Sequence, residues 1–316
     1  MRVVSVPLRM RFRGVTEREG VLLRGPAGWG EFSPFKEYDD AECVPWLRAA
    51  LEAARRPFPT PVRASVPVNT TVPAVDPGRA HALVAASGCS TAKVKVAEPG
   101  QSLAEECARL EAVRDALGAG GRVRVDANAA WSLGEALRAL PELDRAAGGL
   151  EYAEQPCAAV ADLAALRRRL TIPIAADESI RRSGDPEAVV RSEAADVIVL
   201  KVQPLGGVRA CLELADRLGL PVVVSSALET SVGIAAGVAL AAALPSLPYA
   251  CGLGTVALAE ADVAAAPLTP ASGRLPARRA EPDGMPLPVR PDVEEWWRER
   301  VARVARLAGE DLSDVE

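Results

Sequence analysis

From about residue 64 onward, short runs rich in β-branched residues alternate with longer stretches whose apolar positions recur every three or four residues. The short runs fall at 64–71, 91–96, 122–126, 150–154, 172–176, 196–201, 221–225 and 249–253, and successive runs start 22–31 residues apart. Between them, Leu103, Cys107, Leu110, Val113 and Leu117 make one apolar helical face. Residues 208–218 read as a helix opened by Gly206-Gly207 and closed by Gly219. Eight strands at this spacing, separated by helices, predict an α/β fold with a parallel barrel. The rival, an open doubly wound sheet, often carries a glycine-rich phosphate turn after its first strand. Neither G-x-G-x-x-G nor G-x-x-x-x-G-K-[ST] occurs in the chain.

The first 62 residues follow another rule. Residues 3–13 and 19–23 alternate like paired strands about a turn at Gly14, and 45–56 reads as a helix with Pro45 in its first turn. This predicts a small α+β capping domain over 1–62, a barrel over 63–264 and a C-terminal segment over 265–316. Seven prolines from Pro267 to Pro291 predict an extended surface stretch there. Residues 292–307 resume helical spacing with Asp292 as the expected N-cap, and 309–316 reads as a frayed tail.

Composition narrows the function. A net charge of −5 and only twelve aromatic residues among 316 exclude a cationic, base-stacking nucleic-acid surface. The longest uncharged apolar run, 231–244, is too short to span a bilayer. The opening MRVVSVPLRMRFRG has no apolar core of a signal peptide, and six scattered cysteines without a C-x-x-C spacing read as reduced thiols, so a cytoplasmic location is expected. A single histidine, His81, excludes a His-rich zinc site. Nothing in the pattern specifies an oligomeric state. Of 37 basic residues only Lys36, Lys93, Lys95 and Lys201 are lysines, and three of these lie in strand-like runs. Arginine cannot be deprotonated in a protein, whereas a buried lysine can act as a base.

In a parallel barrel, chemistry is done by side chains at the C-terminal ends of the strands. The second run, TAKVKV, carries Lys93 and Lys95, two apart and so on one face. The third ends in Asp126, the fourth in Glu154, the fifth in Asp177-Glu178 and the sixth in Lys201. Taken singly, each acid could simply cap the helix that follows. Three on consecutive strands repel one another unless a cation lies among them, and oxygen donors without histidine or thiolate suit Mg²⁺ or Mn²⁺. Such a cation stabilises the enediolate formed when a carboxylate substrate loses its α-proton. A lysine lowered toward ~7–8 by positive charge and burial would take that proton. A Schiff-base aldolase using Lys201 as nucleophile leaves the three carboxylates without a task. A non-catalytic binding barrel would show no metal-linked rise in melting temperature.

The set K-x-K (Lys93, Lys95), D-A-N-x-x-W (Asp126 to Trp131), E-x-x-E-Q-P (Glu151 to Pro156), D-E-S (Asp177 to Ser179) and Lys201 resembles the enolase superfamily, and within it the muconate-lactonizing subgroup. The resemblance spans nearly the whole chain. It implies a modified (β/α)7β barrel of the TIM type under an α+β cap, with the C-terminal segment returning toward that cap. It further implies Asp126, Glu154 and Asp177 as Mg²⁺ ligands (Mn²⁺ being the alternative), supported by Asn128 and Glu178. Lys95 would then be the base, Lys93 would help hold a small-molecule carboxylate substrate, and Lys201 would stabilise the enediolate from the other face by cation–π attraction. Ser225, Ser226, Leu253 and Gly254 would line the substrate pocket, with the turn at 13–17 as a lid. The segments GPAGWGEFSPF, SSALETSVG and CGLGT are similar to those of members that dehydrate 2-succinyl-6-hydroxy-2,4-cyclohexadiene-1-carboxylate to o-succinylbenzoate in menaquinone synthesis. N-acylamino acid racemases, dipeptide epimerases and muconate cycloisomerases would use the same lysines and acids. The family often has glycine where this chain has Ala129.

Overall fold

The computed structural model describes residues 1–12, 14–282 and 288–316. The chain opens with an antiparallel sheet of β1 (Arg2–Phe12), β2 (Val15–Gly25) and β3 (Gly28–Phe32), against which α1 (Val44–Arg55) packs. The third strand, GWGEF, is absent from the sequence expectation because its glycines disguise it. They are there for contact: a Cβ on Gly30 would lie 2.0 Å from the Ala50 carbonyl oxygen of α1. Arg13 of the expected lid lies outside the described residues.

The chain then runs β4 (Ser65–Pro67), β5 (Thr70–Val72), α2 (Pro77–Ser87), β6 (Thr91–Lys95), α3 (Leu103–Leu117), β7 (Arg122–Asp126), α4 (Leu133–Ala146), β8 (Leu150–Glu154), α5 (Val160–Arg167) and β9 (Ile174–Ala176). Next come α6 (Glu178–Arg181), α7 (Ala188–Arg191), β10 (Val197–Lys201), α8 (Val208–Leu218), β11 (Val222–Ser225) and α9 (Ser231–Ala243). Helix starts follow local chemistry. Ser102 with Glu105, and Ser132 with Glu135, close reciprocal capping boxes on α3 and α4.

Strands β5 to β11 form one parallel sheet in chain order. The run expected at 249–253 supplies only the bridging residues Cys251 and Gly252, yet these close the ring. Cys251 N–H donates to the Pro67 carbonyl (2.8 Å), Asn69 N–H to the Cys251 carbonyl (2.9 Å), and Gly252 N–H to the Val224 carbonyl (2.8 Å). The expected first strand, 64–71, is split. Its first half, β4, pairs antiparallel with β12 (Arg274–Pro276), and only β5 joins the barrel.

Alternation along the strands sorts the core. Ala92, Val94, Val123, Val125, Ile198 and Leu200 pack outward in the large cluster shared with the helices. Tyr152, Ala175, Val197, Val199 and Val223 form a separate cluster within the ring. Helix α9, the run too short for a membrane, is apolar on every side and buried along its length. No described helix is long and apolar enough to cross a membrane.

The last helix, α10 (Pro291–Ala308), packs on α1, β1 and β2. Trp297 is fully buried there, and its indole N–H donates to Glu19 (2.7 Å). Asp292 is not the N-cap. Arg290 holds that position, and the Asp292 carboxylate pairs with its guanidinium. The tail is not frayed either: Arg24 and Glu316 exchange two backbone hydrogen bonds of 2.8 Å, because β1 starts opposite Leu22 and leaves that part of β2 uncovered. Part of the proline-rich stretch, 283–287, lies outside the described residues.

Candidate active site

The inward positions at the C-terminal ends of β6 to β10 bring the lysines and acids together. Lys93, Lys95, Asp126, Glu154, Asp177 and Lys201 are all at most 6% exposed. Lys93 Nζ donates to both oxygens of Glu154 (2.8 and 2.9 Å) and stands 3.3 Å from Asp126 Oδ2, bridging the two acids. Lys95 Nζ donates to Asp126 Oδ2 (2.6 Å) and Asn128 Oδ1 (2.5 Å). Lys201 Nζ donates to Asp177 Oδ2 (2.6 Å). Arg181, one helical turn beyond Asp177, donates to Asp177 Oδ1 (2.9 Å) and to Glu178 Oε1 (2.5 Å).

Charge and burial set the protonation of this group. Burial pushes Glu154 up to about 7, with Asp126 and Asp177 adding to the shift and Lys93 opposing it. Burial also raises Asp126, but Lys95, Lys93 and Lys201 together hold it well below the ordinary carboxylate range. Asp177 is likewise lowered, by Arg181 and Lys201 against its burial. The sequence reading expects a lysine lowered by burial and neighbouring positive charge. Lys93, which is not the expected base, is raised: burial lowers it, but Glu154 and Asp126 lie directly against it and outweigh that effect.

The donor set fits a hard divalent cation. Asp126 and Glu154 are register partners on adjacent strands, and Asp177 follows the next strand. Glu178 Oε2 is buried with no hydrogen-bond partner, while its other oxygen is held by Asn128 (3.3 Å) and Arg181. Among the described residues no three acidic, histidine or cysteine side chains are gathered closely enough to hold an ion as they stand. Ammonium groups stand between the acids instead.

The turns carrying these groups are strained. Of the seven non-glycine residues with positive φ among the described residues, Ala97, Asn128, Ala129, Gln155 and Leu228 follow β6, β7, β8 or β11 at this end of the barrel. Gln155 fixes one of them, its Oε1 accepting the N–H groups of Asp177 (2.9 Å) and Ser179 (3.1 Å). Ala129, at φ +64°, explains why glycine suits that position.

A pocket is lined by Lys93, Lys95, Asp126 and Lys201, with Thr71, Ser225, Ser226, Ala227, Leu228, Gly252 and Thr255 from the barrel and Phe12 and Phe35 from the cap. A larger cleft of about 620 Å³ adjoins it between the end of β1 and the loops after β5 and β6, and Lys95 lines both. Ser225 and Ser226 lie in the pocket, as the sequence reading expects. Leu253 and Gly254 do not. Leu253 turns outward against Gly237 of α9, and Gly254 lies against the Asn69 carbonyl and Pro270. Gly252 and Thr255 take their place, so the expected residues fall between the two that line the pocket. Phe12, Phe35, Thr71 and Arg181 were missed. Only Arg181 left a sequence signal, at i+4 from Asp177.

Comparison with known proteins agrees with this architecture. Residues 3–54 match the enolase N-terminal domain-like family and residues 78–293 the enolase C-terminal domain-like family. The chain belongs to the enolase superfamily. Within it, the chain is 60% identical over 311 residues to the o-succinylbenzoate synthase of Thermobifida fusca (strain YX), covering 98% of this chain and 97% of that one. The o-succinylbenzoate synthase of Mycobacterium tuberculosis (strain ATCC 25618 / H37Rv) is 54% identical, covering 95% and 91%. Among solved structures, the muconate lactonizing enzyme from Pseudomonas putida superposes with a TM-score of 0.72 at 20% identity, covering 96% and 97%. A dipeptide epimerase from Enterococcus faecalis, complexed with Mg and the dipeptide L-Leu-L-Tyr, gives 0.72 at 20% identity, covering 89% and 96%.

Proposed function

We infer that this chain catalyses the o-succinylbenzoate synthase reaction, the dehydration of 2-succinyl-6-hydroxy-2,4-cyclohexadiene-1-carboxylate to o-succinylbenzoate, a carbon–oxygen lyase step in menaquinone synthesis. The observation that carries the choice of reaction is the 60% identity, over nearly the full length of both chains, to a synthase of that name. The site supplies the chemistry. Asp126, Glu154 and Asp177 would hold Mg²⁺, the ion found with the Enterococcus relative. The bound ion supplies positive charge against the enediolate that forms as the α-proton leaves. Lys95 takes that proton and returns it to the departing hydroxyl, so that water leaves from the same face and the ring becomes aromatic. Lys93 holds charge beneath the substrate carboxylate, and Lys201 steadies the enediolate from the other side. Asn128 fixes the direction of Lys95, and Ser225 and Ser226 face the succinyl arm. All six cysteines are unbridged, which supports a cytoplasmic location.

The test is loss of diene absorbance with and without EDTA, with the product identified. EDTA-sensitive formation of o-succinylbenzoate is expected, and none from folded, Mg²⁺-loaded protein would overturn the reading. Lysines from both β6 and β10 line the pocket, which favours racemisation of N-succinylamino acids as a second activity. Polarimetry on the same preparation tests it.

A further inference from the structure

The wall of the pocket beside Lys201 is the turn at 225–228, whose barrel-side bonds, Ser226 Oγ to the Gly252 carbonyl (2.8 Å) and Ala227 N–H to Glu229 Oε2 (2.6 Å), leave the carbonyls of Ala227 and Leu228 to be held from elsewhere. Leu228 is 7% exposed and sits at φ +66°, a conformation that an L side chain adopts only when its surroundings impose it. What imposes it comes from the cap, more than 200 residues away in sequence. Arg18 of β2, 6% exposed, donates from Nε to the Leu228 carbonyl (3.3 Å) and from Nη2 to the Ala227 carbonyl (3.2 Å). Nη2 also donates to the Ser33 carbonyl (2.5 Å), and the guanidinium lies 4.4 Å from the centre of the Phe35 ring. Phe35 and the 225–228 turn both line the pocket, so one side chain ties its cap wall to its barrel wall.

The surrounding contacts fix the anchor points. Glu31 of β3 accepts from Ser33 Oγ (2.7 Å), Thr230 Oγ1 (2.5 Å) and the N–H groups of Thr230 (3.2 Å) and Gly233 (2.9 Å), pinning the start of α9 to the cap. Ser33 and Gln203, the latter two residues past Lys201, exchange bonds of 3.0 Å. Ala227 N–H donates to Glu229 Oε2 (2.6 Å). With both ends of the turn held, Arg18 reaches the two carbonyls between them.

We propose that Arg18 is a positioning residue for the substrate pocket: by turning the carbonyls of Ala227 and Leu228 toward the cap, it holds the wall beside Lys201 in its binding shape only while cap and barrel are engaged. The proposal rests on reading this pocket as the substrate site. A planar guanidinium is required because it reaches three carbonyls at once, which an ammonium on a flexible stem cannot do.

Arg18→Lys keeps the charge and loses the fork, and Arg18→Met removes both. KM should rise about tenfold in each, as expected for loss of one or two charge-assisted hydrogen bonds. kcat should change less than about threefold, and the Mg²⁺ titration midpoint should stay within about twofold of the parent, because the acids lie on other strands. Amide exchange of 226–233, read by mass spectrometry without substrate, should speed up in Arg18→Lys while 91–95 is unchanged. An unchanged KM, or unchanged exchange at 226–233, overturns the proposal. So does a parallel fall in kcat, Mg²⁺ affinity and melting temperature, which would make Arg18 merely structural. If Arg18→Met does not fold, Arg18→Lys decides. If the parent enzyme itself does not turn over the succinyl substrate, the assigned reaction fails, and the exchange measurement still tests Arg18.

Discussion

Glu229 offers a stability prediction that the fold makes quantitative. It is 6% exposed, and burial, with Glu31 close by, pushes its carboxyl up to about 7 from an ordinary 4.5. Between those values the folded chain keeps a proton that the unfolded chain has released. Stability therefore falls as pH rises through this window, and the cost is complete only above about 7. At ~1.4 kcal/mol per pKa unit, the penalty grows from under ~1 kcal/mol at pH 5 to about 3 kcal/mol at pH 8. Glu229→Gln retains a carbonyl oxygen for the Ala227 N–H and has no charge to bury. The variant should exceed the parent by under ~1 kcal/mol at pH 5 and by about 3 kcal/mol at pH 8. Urea unfolding followed by tryptophan fluorescence, with EDTA in every sample, measures the difference at each pH. Buried Trp46 and Trp297 both report on the cap. Carboxylates remote from Glu229 titrate in both proteins and cancel in the difference, whereas Glu31 is coupled to it and shifts with it. A gap that is the same at both pH values would refute the argument, whatever its size.

Three further outcomes follow from the site. Lys95→Arg should abolish turnover by at least about a thousandfold, the upper part of the range for losing a general base. It should leave the Mg²⁺-dependent rise in melting temperature largely intact, and turnover near that of the parent would remove Lys95 from the role of base. Asp177→Asn takes a charge from the proposed ligand set and should weaken Mg²⁺ binding at least about tenfold by calorimetric titration, the order of loss seen even for groups that only support a ligand. An unchanged isotherm would exclude Asp177 as a ligand. Ala129→Gly should stabilise the chain by about 0.5–1 kcal/mol in urea, since Ala129 stands at φ +64°. A destabilised variant would show that the turn does not strain Ala129.

The parts of the molecule readable from sequence are those governed by short-range periodicity. Lys93 and Lys95 lie two apart on one strand, so their shared direction follows from the pleat alone, and Asp126 and Glu154 each close a short strand. The parallel order of strands β5 to β11 follows from the helices between them. Pairings between distant segments leave no such trace. The chain changes partner between β4 and β5, where Val68 N–H turns to the Gly273 carbonyl and Asn69 N–H to Cys251, and a local reading sees one unbroken strand. At the closing segment only Cys251 and Gly252 pair, so alternation could not choose between Leu253 and Thr255 as the residue facing inward. Phe12, Phe35 and Arg18 enter the site from a different part of the fold. Their roles arise from docking of the cap, which no window of sequence contains.

The charges at the barrel mouth explain why lysines, acids and substrate must be considered together. Lys93, Lys95, Lys201 and Arg181 face Asp126, Glu154, Asp177 and Glu178, four basic side chains against four acidic ones. Pairing offsets the desolvation of so many buried charges, and deleting any one side chain would leave its partner uncompensated. A divalent cation held by the acids would add two positive charges, and Lys95 would then share Asp126, its acceptor in this structure, with that cation. With Lys95 neutral, as its role as base requires, the loaded site would carry one net positive charge, which a substrate carboxylate would offset. Charge balance therefore favours a carboxylate beside the acids, and the pocket walls, Phe12 and Phe35 among them, would meet the rest of the substrate.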